Sequence, residues 1–404
     1  MTPNRFRSPQ VDHFLGLAPF LRMSLLKQDL LAISQQIFAA LETQPKNPEL
    51  LMNASIVMHL YNQEQLATDA QEQALEIQST FYLPAAQQPA RIRLLVLSTS
   101  GDLAENTPID CLVEGWDIDL IFYYFNESPI VWESLPDFDI VLVASCYSSA
   151  NQALLKNLSK QLKNCTKPVL NQPQFIVNTE RSHASQILQA IPNLLMPPTA
   201  SIHRDDLMDI ATLKRTLQAH FNWAKFPLIL RPIDSDAGKN LEKINNPEAI
   251  IDYLNHVKDT SFYLSNFIDY ADKQGLYTKI RIVLIAGKAF ICHLAITTDW
   301  KIHYLNAQMD QSHEKRGIEQ KFMENFDQFI QKHKVALAGI YQQSGLDYVG
   351  IDCAEMPSGE LLIFEIDHDM IVHGMDDETI FPYKPYFAQK IPEAFRELLL
   401  KRMM

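Results

Sequence analysis

The chain has 404 residues, enough for two or three domains with sizeable cores. Its 35 Lys and Arg against 48 Asp and Glu leave a net charge of −13, which argues against general binding to nucleic acid or to an anionic membrane surface. The five cysteines are scattered without a CxxC pair, and no apolar run approaches membrane-spanning length, so a disulfide framework, a cysteine zinc site and a bilayer segment are all disfavoured.

The opening MTPNRFRSPQVDHFLGLAPFLRMSLL lacks a clean signal core and cleavage site, and the expectation is a soluble cytoplasmic protein. Residues 1–85 read as helical. LKQDLLAISQQIFAALETQP carries apolar residues at helical spacing up to a proline stop. NPELLMNASIVMHLYNQ opens on Asn47 as N-cap with Pro48 in the first turn, and EQLATDAQEQALEIQSTFY continues the period. Helix, short loop, helix with recurrent alanines resembles a tetratricopeptide-type repeat; a plain helical cap on the next domain fits the same pattern.

PAAQQPAR, Pro84 to Arg91, reads as a linker, and after it the period changes. RLLVLSTS, IDLIFYYF, FDIVLVAS and KPVLNQP are short apolar β-rich runs alternating with polar or helical segments, so residues 91–200 predict a Rossmann-like βαβ domain with a parallel sheet. STSGDLAENTPID follows the first strand, where such sheets place ligand loops, but Gly101 alone is no GxGxxG fingerprint and NAD is not expected. Residues 201–404 read as mixed α+β. FPLILRP, YLSNFIDY and KIRIVLIAGKAFICHLAI are strands, EKRGIEQKFMENFDQFIQKHKVALAGIYQQSG is one long helix or two ending at Gly345, and KIPEAFRELLLKRMM is a closing amphipathic helix.

Charge is uneven along this last region. Residues 335–383 hold ten Asp or Glu and no Lys or Arg, whereas residues 225–288 hold nine Lys or Arg. One stretch suits a cation and the other a polyanion, or both are solvated faces. Within the acidic stretch, GIDCAEMPSGELLIFEID reads as a hairpin about Pro357-Ser358-Gly359. It sets Asp352 opposite Glu365, with Asp367 two residues on and on the same face. Like charges facing each other across strands repel, and a bound dication would remove that repulsion; Mg²⁺ is commonly held by one or two carboxylates. Three exposed hairpin acids are the other reading. In the basic stretch, FPLILRP is followed by IDSDAGKNLEKI. A strand ending near Arg231, a small-residue loop with Gly238 and Lys239, and a strand-like return suit a flap over phosphates, although it is no Walker A loop.

These segments together resemble the ATP-grasp superfamily, most nearly its amino-acid and peptide ligases of the glutathione-synthetase and RimK-like type, over roughly residues 91–400. The resemblance implies an α/β and α+β multidomain chain: a helical repeat-like cap, a Rossmann-like pre-ATP-grasp domain at 91–200, and an ATP-grasp domain of two α+β subdomains at 201–404. It implies ATP and Mg²⁺, or Mn²⁺ in its place. LILRP puts Arg231 where the family more usually has Lys, at the phosphates with Gly238 and Lys239. SNFID resembles the adenine hinge, with Phe267 and Ile268 at the base, Asp269 a ribose candidate and Asn266 replacing the usual acid; Lys279 falls near where a ribose-binding acid is often found. GIDCAEM…LIFEID resembles the metal motif, with Asp352, Glu365 and Asp367, the last in place of Asn.

Arg281 matches the family arginine that steadies the transferred phosphate. A second arginine, expected near Ala295, is missing, and His293 either substitutes for it or is structural. Asn306 resembles the family Asn that touches phosphate or metal. Asp299, Trp300 and His303, and beyond the hairpin His368, His373 and Asp376, are candidates for the substrate pocket. The implied activity is an ADP-forming carboxylate–amine ligase acting through an acyl phosphate on amino-acid or peptide substrates, with the helical region taking a protein partner or mediating self-association. A phosphotransferase acting on a hydroxyl, and an inactive nucleotide-binding adaptor, are the alternatives.

Overall fold

The computed structural model describes residues 11–235, 238–372 and 374–404, the side chain of Leu305 excepted. The chain divides into two compact units, one of Met1–Cys146, Ala150–Gln174 and Asp369–Met404, the other of Tyr147–Ser149 and Phe175–His368.

The first unit opens on four helices, α1 (Ala18–Leu25), α2 (Leu30–Thr43), α3 (Pro48–Leu60) and α4 (Glu64–Ile77). The starts of α2 and α3 are written in short polar side chains: Asp29 accepts from the Ala32 N–H, and Asn47 accepts from Glu49 and Leu50 with Pro48 in the first turn. Helix α3 is buried almost all round, as its apolar and small residues allow. Thr80–Leu83, read from sequence as the end of the helical segment, form a strand, β1. Its aromatic and β-branched TFYL pairs antiparallel with β3 (Ile118–Tyr124).

The remaining strands of this sheet are β2 (Ile92–Ser98), β4 (Ile140–Val143) and β5 (Val169–Leu170), in the order β1-β3-β2-β4-β5, with β3, β2, β4 and β5 parallel. The central strands are continuous apolar runs because both faces are covered. Helices α5 (Ile109–Val113) and α6 (Gln152–Gln161) lie in the connections, and the short α7 (Pro173–Ile176) crosses into the second unit.

The second unit starts with α8 (Arg181–Leu188) and carries two sheets. The first has the order β7-β10-β8-β9, antiparallel throughout, from β7 (Thr199–His203), β8 (Leu228–Pro232), β9 (Glu242–Ile244) and β10 (Ser261–Asn266). Helices α9 (Arg204–Ala211), α10 (Leu217–His220) and α11 (Pro247–His256) accompany it, and Leu207, Ile210, Ile250, Tyr253 and Phe262 lie in its core. The second sheet has the order β12-β11-β13-β14-β6, from β6 (Leu194–Leu195), β11 (Tyr277–Ile285), β12 (Lys288–Thr297), β13 (Tyr348–Glu355) and β14 (Leu361–Asp367), with β6 alone parallel to its neighbour. The long helical stretch is divided at Asn325 into α12 (His313–Glu324) and α13 (Phe326–Ser344), the latter kinked at His333 and closed by Gly345 at φ +68°.

The chain then returns to the first unit with α14 (Lys384–Ala388) and α15 (Lys390–Met403). The sequence reading carries the third region to residue 404, whereas residues 369–404 pack with the first. The reason is the apolar stripe Ile391, Phe395, Leu398 and Leu399 of α15, which lies on α5 and β4, and the Arg396–Asp117 pair with both N–O distances 2.6 Å. Among the described residues no helix is long and apolar enough to cross a membrane, and all five cysteines are free thiols.

Candidate functional site

The hairpin β13–β14 turns at Gly359, whose φ of +94° suits glycine. Its register places Asp352 opposite Glu365 and Gly350 opposite Asp367. On the other side of β13, Asp352 faces Arg281 of β11, and Arg281 in turn faces His293 of β12. His293, Arg281, Asp352 and Glu365 therefore form one row across four antiparallel strands. Directly opposed residues share a face, so all four side chains emerge on the same side of the sheet, with Lys279 and Asp367 two positions along on that face.

The repulsion expected between the carboxylates is met by the protein's own cations. Asp352 is 0 % exposed, with Arg281 Nε 2.7 Å from one oxygen, and with Arg281 Nη2 at 2.8 Å and Lys279 Nζ at 2.5 Å from the other. Arg181, the first residue of α8, binds Glu365. Burial alone would push the Asp352 carboxyl up, yet the Arg281 guanidinium and the Lys279 ammonium hold it well below the usual carboxylate range. Glu365 shows the same contest: burial and the Asp352 charge raise it, and Arg181, Lys279 and Arg231 together bring it below its ordinary value. Burial disfavours the charge on Arg281, and Asp352 more than restores it. His303 is lowered by burial and then by Lys279 and Arg281, which sets its imidazole beside the same cations.

The other candidates fall on neighbouring elements. Arg231 lies at the end of β8, buried, with Nε donating to Ser235 Oγ at 3.2 Å. Strands β8 and β9 form the expected strand, loop and return. Within the loop Gly238 has φ +72° with open space where a side chain would stand, and Lys239 is exposed; Asp236 and Ala237 lie outside the described residues. Phe267 packs edge-on to Trp300 at 5.6 Å, and the Lys243 ammonium sits 3.6 Å over its ring. Ile268 packs on the cluster around Tyr270, Ala354 and Leu362, and exposed Asp269 accepts from Tyr277 Oη at 3.1 Å.

Asn266 is occupied structurally. Its amide oxygen accepts from Lys225 N at 2.9 Å and its amide nitrogen donates to Trp223 O at 3.1 Å. Asn306 closes its own turn, accepting from His303 N at 3.0 Å. His293 packs against Tyr304 with ring centroids 4.3 Å apart. Exposed Asp299 caps its own turn, accepting from Lys301 N at 3.1 Å. Buried His368 follows Asp367, whose carboxylate accepts its backbone N–H at 2.7 Å. Asp376 belongs to the first unit, paired there with Lys384 at 2.9 Å, and His373 lies outside the described residues.

The sequence reading had no signal for Arg181, which is 184 residues from its partner Glu365. Lys279 was noted near a ribose position, whereas its ammonium is on Asp352. The donor set of Asp352, Glu365 and Asp367 is carboxylate oxygen throughout, which suits Mg²⁺ or Mn²⁺. Asp352 and Glu365 are each paired with the protein's own cations, Lys279 and Arg281 on the one and Arg181 on the other.

No family model matches the chain, and no curated protein matches it. Among solved structures it is similar to a D-alanine–D-alanine ligase from Bacillus anthracis complexed with ATP, at 13% identity and a TM-score of 0.46, covering 77% of this chain and 98% of that one. It is also similar to a RimK domain ATP-grasp protein from Sphaerobacter thermophilus, at 14% identity, TM-score 0.42, 76% and 99% coverage. A third similar structure is the ATP-grasp ligase PsnB complexed with its precursor peptide and AMPPNP, at 12% identity, TM-score 0.44, 79% and 99% coverage. With every TM-score below 0.5, these likenesses identify neither substrate nor reaction.

Proposed function

We propose that the chain is an ATP-dependent ligase of the ATP-grasp type, joining a carboxylate to an amine through an acyl phosphate and releasing ADP and phosphate. The observation that carries this reading is the row His293, Arg281, Asp352 and Glu365 across four strands, with Lys279 and Arg181 on the same carboxylates. One sheet face thereby gathers the two kinds of group that phosphoryl transfer uses, hard oxygen ligands and fixed cations. Asp352, Glu365 and Asp367 would hold Mg²⁺ or Mn²⁺, which when bound supplies charge neutralisation at the transferring phosphate.

Arg231, Gly238 and Lys239 bind the phosphates, and Phe267 and Ile268 hold the base with Asp269 toward the ribose. Asn266, with both ends of its amide engaged, supports the hinge backbone instead of the nucleotide. Arg281 and Lys279 occupy Asp352 in the ligand-free chain. Drawn to phosphate oxygens, they free that carboxylate, and Arg281 then faces the oxyanion charge of the transition state, with His293 beside it and Asn306 on the following turn. The acid and amine are amino acids or peptides, and helices α1–α4 provide a surface for a protein partner.

The test is incubation with ATP, Mg²⁺ and a panel of amino acids and short peptides, read by mass spectrometry, with hydroxylamine as a substitute amine. A hydroxamate formed in step with ADP and phosphate is expected. AMP and pyrophosphate formed in step with product overturn the acyl-phosphate route. The pairing of both Asp352 oxygens with protein cations favours one second reading, a nucleotide-binding adaptor in which the ion pairs are permanent. Nucleotide binding without turnover across the panel is its signature.

A further inference from the structure

The first unit holds an open cleft with ≈ 560 Å³ of empty space, its solvent mouth included, between helices α3 and α4 and the carboxyl ends of β2 and β3. Open parallel α/β sheets place ligands at that end of their strands. The cleft has a rigid wall: Gly101 N donates to Gln71 Oε1 at 2.8 Å and Gln71 Nε2 donates to Gly101 O at 3.2 Å, so α4 clasps the loop that follows β2.

Among the described residues, three side-chain atoms lining this cleft are buried without a hydrogen-bond partner: Ser55 Oγ, His59 Nε2 and Ser98 Oγ. Their residues are 1%, 8% and 1% exposed. A buried polar group with no partner is destabilising, and three around one cleft are unusual. His59 Nδ1 lies 2.9 Å from Glu64 Oε2, so its proton is donated to that carboxylate and Nε2 turns a lone pair to the cleft. The serine hydroxyls accept as readily as they donate. Among the described residues the lining includes Asp102 and Asp110 and no Lys or Arg. Asp110 accepts from the N–H groups of Leu17 and Ala18, at 2.5 and 2.8 Å, and so fixes the start of α1.

We propose that this cleft is a binding site for a small primary amine, whose N–H groups bond His59 Nε2 and the hydroxyls of Ser55 and Ser98 while the acidic lining disfavours anions. The site lies within the first unit and does not depend on the ligase reading. Its apolar walls, Phe14, Met52 and Ile56 among them, take a short alkyl chain.

The probe is n-propylammonium chloride, titrated calorimetrically into the full chain, with sodium propionate and n-propanol as matched comparisons and carbon-13-labelled histidine followed by NMR. Saturable binding of the amine that moves the His59 ring signal, with propionate inert, is the expected result. Ser98→Ala should weaken the amine about tenfold, the usual effect of losing a hydrogen bond to a charged group. It should leave the melting temperature of the ligand-free protein unchanged or raised, because the hydroxyl it removes is unpartnered. His59→Gln is a second variant with the same expected loss of affinity. Absence of amine binding, equal binding of propionate, affinity unchanged in both variants, or a lower melting temperature for Ser98→Ala, as for a cleft that holds only bound water, would each overturn the proposal.

Discussion

Replacing Asp352 by Asn isolates what the ion pairs of the strand row contribute. The wild-type carboxylate is fully buried and meets Lys279 and Arg281, whose side chains are 15% and 18% exposed. Removing one partner of a buried pair costs about 3–5 kcal/mol, because a charge is left without its counter-ion. Here two cations are stranded, but each retains some solvent, and Glu365 stands opposite position 352 as a weaker substitute. The lower end of the range, about 3 kcal/mol, is therefore expected. For a folding unit of this size that corresponds to a fall in melting temperature of roughly 6–12 °C. Differential scanning calorimetry at pH 7 measures it, and the fluorescence of Trp223 and Trp300 reports the second unit. Lys279→Met added to the Asn variant should recover part of the loss, since the two positions are coupled. A single Asn variant melting within about 2 °C of wild type would show that the ion pairs carry little of the stability, and the reasoning from burial would be wrong.

Glu365→Gln should lower ligase turnover by about two orders of magnitude. Its melting temperature should move less than that of Asp352→Asn, because the Arg181–Glu365 pair keeps more solvent; near-normal turnover at limiting Mg²⁺ speaks against its metal role. Arg281→Ala should lower kcat more than it weakens ATP binding, the pattern of a contact strongest in the transition state, as steady-state kinetics against direct nucleotide titration will tell. Hydrogen exchange across the described residues between Asp234 and Asn240 should slow on addition of ATP and Mg²⁺, and its failure to do so with binding confirmed removes the flap role. The folded-state pKa of Asp352 lies below its unfolded value, so its stabilisation is complete above the ordinary carboxylate range and is lost as the pH falls through that range and below. Urea midpoints from pH 7 downward should therefore fall less steeply for Asp352→Asn than for wild type.

Local pattern carried the reading where the chain closes on itself over short distances. Asn47 and Pro48 announced α3, Gly345 announced the end of α13, and the Pro357–Gly359 turn fixed Asp352 opposite Glu365 by simple alternation. What answers those carboxylates was not legible in the same way. Arg281 meets Asp352 across 71 residues and Arg181 meets Glu365 across 184, through a strand register and a helix placement that no local period encodes. A dication was the expected counter-charge, and the structure supplies three basic side chains. The same holds for Asn266, whose amide spends both ends on the backbone of residues 223 and 225, partners that no local pattern announces. Thr80–Leu83 did carry a local signal in its β-branched and aromatic residues, which the continuing helical period masked.

That four-residue strand changes how the chain can be cut. Strand β1 caps the outer edge of β3 along Leu120–Tyr123, so the backbone donors and acceptors of that edge meet a partner and not water or another molecule. A shortened polypeptide beginning at Pro84 would keep the parallel strands but leave β3 with a bare, largely apolar margin, ready to stack on its like in a second copy. The residues before the linker are therefore no removable appendage. A chain begun at Pro84 should form aggregates on light scattering where the full chain stays monodisperse.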